Sequence, residues 1–406
     1  MTVHQLSDLL DSHFSGPSPT CIERNVRGKE WGVLKTTCST TEGWNWRAHK
    51  VLPPAFWNLT RLEVKSGDSI ITKAGPRHRV GVASFVDFVP PQVVPSGKMI
   101  CLRPNPERVL PAYLALALSD SRTQRYLDQR TTGMAESQVN FENNALLGAP
   151  VWLPERDEQE RIVEALTGPT AAATSLERLI AKKQAIKQGM MQQLLTGKTR
   201  LPGFEEPWRD IRIKELVSSP VTDGPHLTPQ FHNEGVPFLS VNNIVDGKID
   251  WSDVRYISKA DHAVFSQKCK PRRGDVLLGK AASVGKVALV DTDVDMNIWS
   301  PIALIRPSEH FVPEFVYFQL QSDEAARQIG LLTNTSSQGN IGMGDIERIS
   351  LLVPEKSEQV EIARVLDAAT SEITHLQKQL KQIKRVKMGM VQELLTGRTR
   401  LNSVGV

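Results

Sequence analysis

The sequence predicts an α+β chain built twice over. It has two mixed α/β domains separated by two long antiparallel coiled-coil helices, in a pseudo-twofold internal repeat. Three observations predict this: a helical segment recurs without a gap, the blocks before each copy share only short motifs, and apolar residues in both copies follow a three-four spacing.

The repeat is the firmest of these. From Pro154 the chain reads PERDEQERIVEAL and from Pro354 PEKSEQVEIARVL; from Lys187 it reads KQGMMQQLLTGKTRL and from Lys387 KMGMVQELLTGRTRL. About 49 positions align and roughly 20 are identical, far above chance. Fainter echoes precede each copy: Gly67-Asp68-Ser69-Ile70-Ile71 against Gly274-Asp275-Val276-Leu277-Leu278, Leu102-Arg103-Pro104 against Ile305-Arg306-Pro307, and Ser137-Gln138-Val139-Asn140 against Ser337-Gln338-Gly339-Asn340. The order is variable block, shared helix, variable block, shared helix. The predicted boundaries are 1–152 and 203–352 for the blocks, and 153–202 and 353–406 for the helices with their linker and tail.

The shared segments read as helices. Ile362, Leu366, Ala369, Ile373, Leu376, Leu380, Ile383, Met390 and Leu394 lay an apolar stripe along one side, as do Ile162, Leu166, Ala173, Leu176, Ile180, Met190 and Leu194. Gly168-Pro169 interrupts the first copy where the second has Ala368-Ala369, and a mid-helix proline is expected to kink or restart that helix. Thr196-Gly197 and Thr396-Gly397 are expected C-caps. Some 40 helical residues would span about 60 Å.

In the blocks, strands are expected at Gly32–Lys35, Ser69–Thr72, Val80–Ala83, Met99–Leu102, Pro237–Val241, Asp275–Leu278, Lys286–Val290 and Pro301–Ile305. Helices are expected over Pro111–Gln129 and Pro313–Gly330, and Asp246-Gly247 marks a hairpin turn.

Composition narrows the function. Of 406 residues, 40% are hydrophobic and 23% charged, as in an ordinary folded protein. Lys plus Arg outnumber Asp plus Glu by 49 to 45, a bias that permits nucleic-acid binding without arguing for it. No apolar run reaches membrane-spanning length and the first ten residues lack a basic leader, so a cytoplasmic location is expected. Cys21, Cys38, Cys101 and Cys269 lack the paired spacing of a zinc site, and no metal ligands are expected.

Catalytic motifs are not found. Gly279 to Val287 (GKAASVGKV) has P-loop letters, but its glycine spacing is one residue too long and Val287 stands where a hydroxyl should hold magnesium. It reads better as a strand-turn-strand. Asp223 with Asp246-Gly247-Lys248 offers nuclease letters, but the second group is a turn signal. No Rossmann fingerprint or nucleophile elbow appears. The expectation is a chain that is not an enzyme, has no catalytic residue and binds no cofactor of its own.

Pro354-Glu355, Glu358-Gln359 and Ile362, followed by the coiled coil and Leu394-Leu395-Thr396-Gly397, resemble the helical segment of type I restriction specificity subunits. Pro154-Glu155, Glu158-Gln159, Ile162 and Leu194 to Gly197 repeat it. Asp223-Gly224-Pro225-His226-Leu227-Thr228-Pro229 and Val236 to Ile244 resemble the opening of a target-recognition domain, and Gly32-Val33-Leu34-Lys35-Thr36-Thr37 resembles another subtype. The resemblance implies a non-catalytic subunit that binds double-stranded DNA and reads a two-part asymmetric site. It would pair with two methyltransferase subunits that use S-adenosylmethionine to methylate adenine, and with two ATP- and magnesium-dependent restriction subunits. The alternatives are a solo DNA-binding or structural coiled-coil protein without a methyltransferase, and a fragment of a single-chain restriction enzyme.

Base edges in the major groove are read by Arg, Lys, Asn, Gln and Ser, and phosphates are held by Lys, Arg and Thr. Loop residues of these types are Lys35, Thr36, Thr37, Lys73, Arg77 and Gln138 in the first block. In the second they are His226, Thr228, Asn242, Asn243, Lys280, Ser283, Lys286 and Gln338.

Overall fold

A computed structural model describes residues 1–41, 43–135, 137–334 and 339–401. The chain divides into two compact units, each holding parts of both long helices: Met1–Glu177 with the chain from Lys378 on, and Arg178–Gln377.

In the first unit a four-stranded antiparallel sheet runs in the order Leu10–Phe14, Met99–Pro104, Ser69–Thr72, Ala83–Phe85. A second sheet sets Gly32–Leu34 between Val93–Val94, parallel to it, and His49–Val51. A third carries Gln138–Asn140 between Thr132–Ala135 and Ala74–Gly75. The second unit repeats the first two. Its four-stranded sheet runs Thr222–Asp223, Ile302–Ile305, Val276–Gly279, Val287–Leu289. Val236–Leu239 lies between Arg255–Ile257 and, parallel to it, Asn297–Ile298. The central strands Ser69–Thr72 and Val276–Gly279 are wholly buried, which is why neither shows the polar-apolar alternation of a half-exposed strand.

The strand expected at Val80–Ala83 instead starts at Ala83, because Arg77–Arg79 winds a 3-10 turn and Gly81 adopts a positive φ. Each long helix expected after the sheets is two short ones: Pro111–Leu118 and Ser121–Asp128, then Pro313–Leu320 and Asp323–Leu332. Asp120 and Ser322 are the reason. Their side chains accept hydrogen bonds from Arg122 and Ala325 N–H and so start a new helix. Asp246 (φ 50°) and Gly247 (φ 80°) form the expected tight turn, joining Ile244–Val245 to Lys248–Ile249.

The long helices span Arg156–Leu194 and Lys356–Thr396. Of the kink or restart expected at Pro169, the restart does not occur: one helix runs through it. The proline removes the bond to the Ala165 carbonyl, but Ile162, Leu166 and Ala173 stay buried on both sides of it. Packing on that stripe outweighs the local cost of about 3 kcal/mol. Both helices end as expected: Gly197 (φ 67°) and Gly397 (φ 69°) reverse the chain, and the amides of Thr199 and Thr399 donate to Gln193 and Glu393 carbonyls.

Within each unit the helix parts run antiparallel. In the first, Ile162 and Leu166 share a core with Leu394 and Leu395; in the second, Ile362 and Leu366 share one with Met191, Leu194 and Leu195. Glu177–Lys384 and Lys183–Glu372 ion pairs, one in each unit, join the same helices.

The shared Glu-Gln motif has a visible job. The Gln159 amide accepts from Leu110 N–H and donates to the Pro154 carbonyl, and Gln359 does the same with Val312 and Pro354. It ties the start of each long helix to the start of the short helix before it. The N-terminal strand Thr2–Gln5 pairs with Pro150–Leu153 just as Arg209–Arg212 pairs with Ser350–Val353. Met1 lies against Gly397 as Trp208 lies against Gly197. The N-terminal strand thus fills, in the first unit, the place taken in the second by the strand after the first long helix.

Candidate nucleic-acid interface

Backbone pairing brings two polar segments together in the same way in both units. Past the buried central strand, Lys73 and Ala74 donate their N–H groups to the Lys98 carbonyl, and Lys280 and Ala281 donate theirs to Pro301. The opposite faces of these lysines accept from Phe141 N–H and Ile341 N–H. Asn140 therefore pairs with Ala74, and Asn340 with Ala281. The Lys-Ala strand end and the asparagine that closes the Ser-Gln-x-Asn motif are neighbours twice over.

In the first unit this place gathers Lys73, the exposed Gln138 and Asn140, Thr132, whose hydroxyl donates to Asn140, and Asn143, whose Oδ1 accepts from Lys73 Nζ at 3.2 Å. Thr36 and Thr37 lie in the 3-10 turn after Gly32–Leu34. Cys38 of that turn packs in one core with Ile70, and Ser39 after it bonds the Ile70 and Val82 carbonyls, so the turn borders the same strand. Lys35 and Arg77 are exposed in part but engaged, Lys35 with Glu23 and Arg77 with Asp128 at 2.6 Å. Lys35 and Lys50 hold the Glu23 carboxyl below its ordinary range.

In the second unit Asn242 occupies the matching 3-10 turn and is exposed, while Ser283 and Lys286 lie in the connection after Val276–Gly279. A Cβ on Gly279 would meet Val241 at 2.9 Å, which puts the turn beside Lys280. Asn243 departs from its expected role. It is buried, its Oδ1 accepts from Ser240 N–H and hydroxyl, and its Nδ2 donates to Asp250 and Asp253 carbonyls. It braces the loop and has no group left for a base. Thr228 is an exposed loop residue that backbone pairing does not join to the others. Gln338 lies outside the described residues.

His226 and Lys280 meet at Asp223. Asp223 is fully buried, with Lys268 Nζ 2.5 Å from Oδ1, and Lys280 Nζ 3.2 Å and His226 Nε2 3.4 Å from Oδ2. The Lys280 contact is a charge contact rather than an aligned hydrogen bond. Burial alone would raise the Asp223 pKa, but the ammonium groups of Lys268 and then Lys280 outweigh it and hold the carboxyl below its ordinary value. Its stabilising effect is present at neutral pH and is lost as pH falls through the carboxylate range. The signal for Lys268 was the basic run Lys268, Lys270, Arg272, Arg273. Asn340 closes the Ser-Gln-x-Asn motif already seen in the sequence, and Asn143 lies three residues past Asn140 of the first copy.

The segment Gly279 to Val287 is an antiparallel strand-turn-strand, with Gly279 N–H bonded to the Lys286 carbonyl. Cys38, Cys101 and Cys269 are buried free thiols and burial pushes all three pKa values up, Cys269 to about 12. Among the described residues no helix is long and apolar enough to cross a membrane, and no group of His, Cys, Asp and Glu could hold a metal ion.

Comparison with known proteins agrees with this architecture. Residues 205–385 match the family profile described as type I restriction modification DNA specificity domain. The chain is 30% identical over 163 residues to the EcoEI specificity subunit of Escherichia coli, an alignment covering 40% of this chain and 27% of that subunit. It is 24% identical to the MjaVIII specificity subunit of Methanocaldococcus jannaschii over 72% of this chain and 70% of that one. The crystal structure of a type I restriction-modification S subunit from M. genitalium shares the fold with a TM-score of 0.57 at 12% identity, covering 97% of this chain and 95% of that one. A chain from a study of complex assembly and conformational transition of the type I R-M system has a TM-score of 0.53 at 17% identity, with 97% of each covered. The second half of the chain thus matches a type I restriction modification DNA specificity domain, and the whole chain shares its fold with a type I S subunit.

Proposed function

We propose that this chain reads a bipartite asymmetric DNA site, one half with each unit, and directs adenine methylation and restriction by partner subunits. The observation that carries the reading is the doubled polar place. In both units a lysine at a strand end stands beside a segment that carries an asparagine, Asn140 or Asn340, and a 3-10 turn of Thr or Asn residues borders it. These residue types bond base edges and phosphates. The two places differ in side chains while the helices are alike, which suits one scaffold carrying two specificities.

The partners in this reading are two methyltransferase subunits, which supply S-adenosylmethionine chemistry, and two restriction subunits, which use ATP and magnesium. The long helices offer the docking platform, and its repeat accounts for two copies of each partner. The chain itself serves as the non-catalytic member. The test is to express it with the type I methyltransferase subunit of its source genome in a host lacking other adenine methylation, and to map modified adenines across the genome. One two-part motif with a fixed spacer is expected. Absence of methylation, or a single continuous motif, would overturn the reading.

A further inference from the structure

We propose that Lys268, Lys280 and His226, gathered around the buried carboxylate of Asp223, form a site for a DNA backbone phosphate in the second unit, with Asp223 as its positioning residue. The inference rests on the DNA-reading proposal and adds to it a phosphate contact, Lys268, and a residue that acts through others.

The argument starts from what a buried carboxylate requires. A charge removed from water is costly unless it is paired, and Asp223 is fully buried with two ammonium groups within 3.2 Å. The first unit shows that the fold does not need that charge. The pairing of Phe14 with Cys101 and of Asp223 with Ala303 makes Ser15-Gly16-Pro17 the counterpart of Asp223-Gly224-Pro225. Both glycines are pressed against a carbonyl: an added Cβ would lie 1.9 Å from Pro95 O at Gly16 and 1.6 Å from Ile298 O at Gly224. Ser15 simply donates to the Met99 carbonyl at 2.6 Å, and the first unit's lysine, Lys73, goes to Asn143. A neutral residue therefore suffices for the turn, and the carboxylate serves the cations around it.

Those cations are arranged to receive an anion. Two ammonium groups on one carboxylate leave a surplus positive charge, and each ammonium has three N–H groups to share. The side chains of Lys268 and His226 are 51% and 70% exposed, while Lys280 is nearly covered and reaches Asp223 from the strand end beside Asn340. The close approach of Gly224 to Ile298 and the Ser300 N–H bond to the Pro225 carbonyl fix the loop that carries His226. A phosphodiester oxygen fits an ammonium pair held in one place, since its binding then costs little further ordering of long side chains.

The test measures binding of the full-length chain to a labelled duplex pool of random sequence, as the logarithm of Kd against the logarithm of salt concentration. A stoichiometric titration gives the binding-competent fraction, so a variant that only unfolds lowers that fraction and leaves Kd alone. Lys268→Gln is expected to reduce the slope by about 0.9, one phosphate contact. Asp223→Asn adds a net positive charge, which by itself would tighten binding; the positioning role predicts a Kd several-fold higher instead. An unchanged slope in Lys268→Gln, or equal or tighter binding by Asp223→Asn, would overturn the inference and leave the DNA reading standing. Failure of the unaltered chain to bind duplex DNA with any salt dependence would overturn that reading itself.

Discussion

At the scale of single residues, the two units are held by the same devices. Asp68 is buried and takes both oxygens of its carboxylate to the Arg103 guanidinium at 2.8 and 2.9 Å; Asp275 does so with Arg306 at 2.7 Å. In each case the arginine also donates to a loop carbonyl, Glu63 or Lys270, and the carboxylate accepts a loop N–H, from Lys65 or Arg272. Removing the cation leaves a buried charge without a partner, which costs about 3–5 kcal/mol. Arg103→Ala and Arg306→Ala are each expected to lose stability of that size in denaturant unfolding; a loss under about 1 kcal/mol would mean that water reaches the carboxylate. The Gly-Asp and Arg-Pro echoes in the sequence contain all four of these residues but not their pairing, which only the fold reveals. The sequence misplaced Asn243, because an amide that braces its own loop carries the same letters as one that reads a base. It left out Lys268, because that lysine reaches Asp223 from a separate helix, Lys259–Lys268.

At the scale of elements, local signals and packing disagree in instructive places. Pro169 reads as a break and sits inside a continuous helix. Asp120 and Ser322 read as ordinary polar residues and split a helix in two. The difference lies in what each residue can be offset by. A lost N–H bond is outweighed when buried side chains on both sides hold the helix axis, whereas a side chain that caps a new helix adds a bond and redirects the chain. Pro169→Ala should therefore stabilise the chain, by up to about 3 kcal/mol, read as a higher midpoint in thermal unfolding. A lower midpoint would show that the proline is needed for the native path of the helix. Gly197→Ala should act oppositely, by about 1 kcal/mol or more, because its φ of 67° is strained for a side chain.

At the scale of the whole molecule, the account is of one scaffold used twice. Both long helices pass unbroken through the residues where one unit gives way to the other, Glu177–Arg178 and Gln377–Lys378. In the proposed function, helix length then sets the spacer between half-sites. Four residues inserted before Thr196, about one turn, add roughly 6 Å of helix, against about 3.4 Å per base pair. A methylated motif with a spacer longer by one or two base pairs and unchanged halves is expected; an unchanged spacer with full activity would remove the helices from that role. The repeat itself was the most legible feature of the sequence, because shared helices preserve letters. The sheet orders were not legible, because parallel and antiparallel neighbours such as Val93–Val94 and His49–Val51 meet across distant stretches of chain. The central claim is that the two units read independently. The most direct measurement replaces residues 203–352 with the corresponding block of a related specificity subunit and maps methylated adenines in cells. One half of the motif should change while the other half and the spacer stay as they were, and a change in both halves would contradict the account.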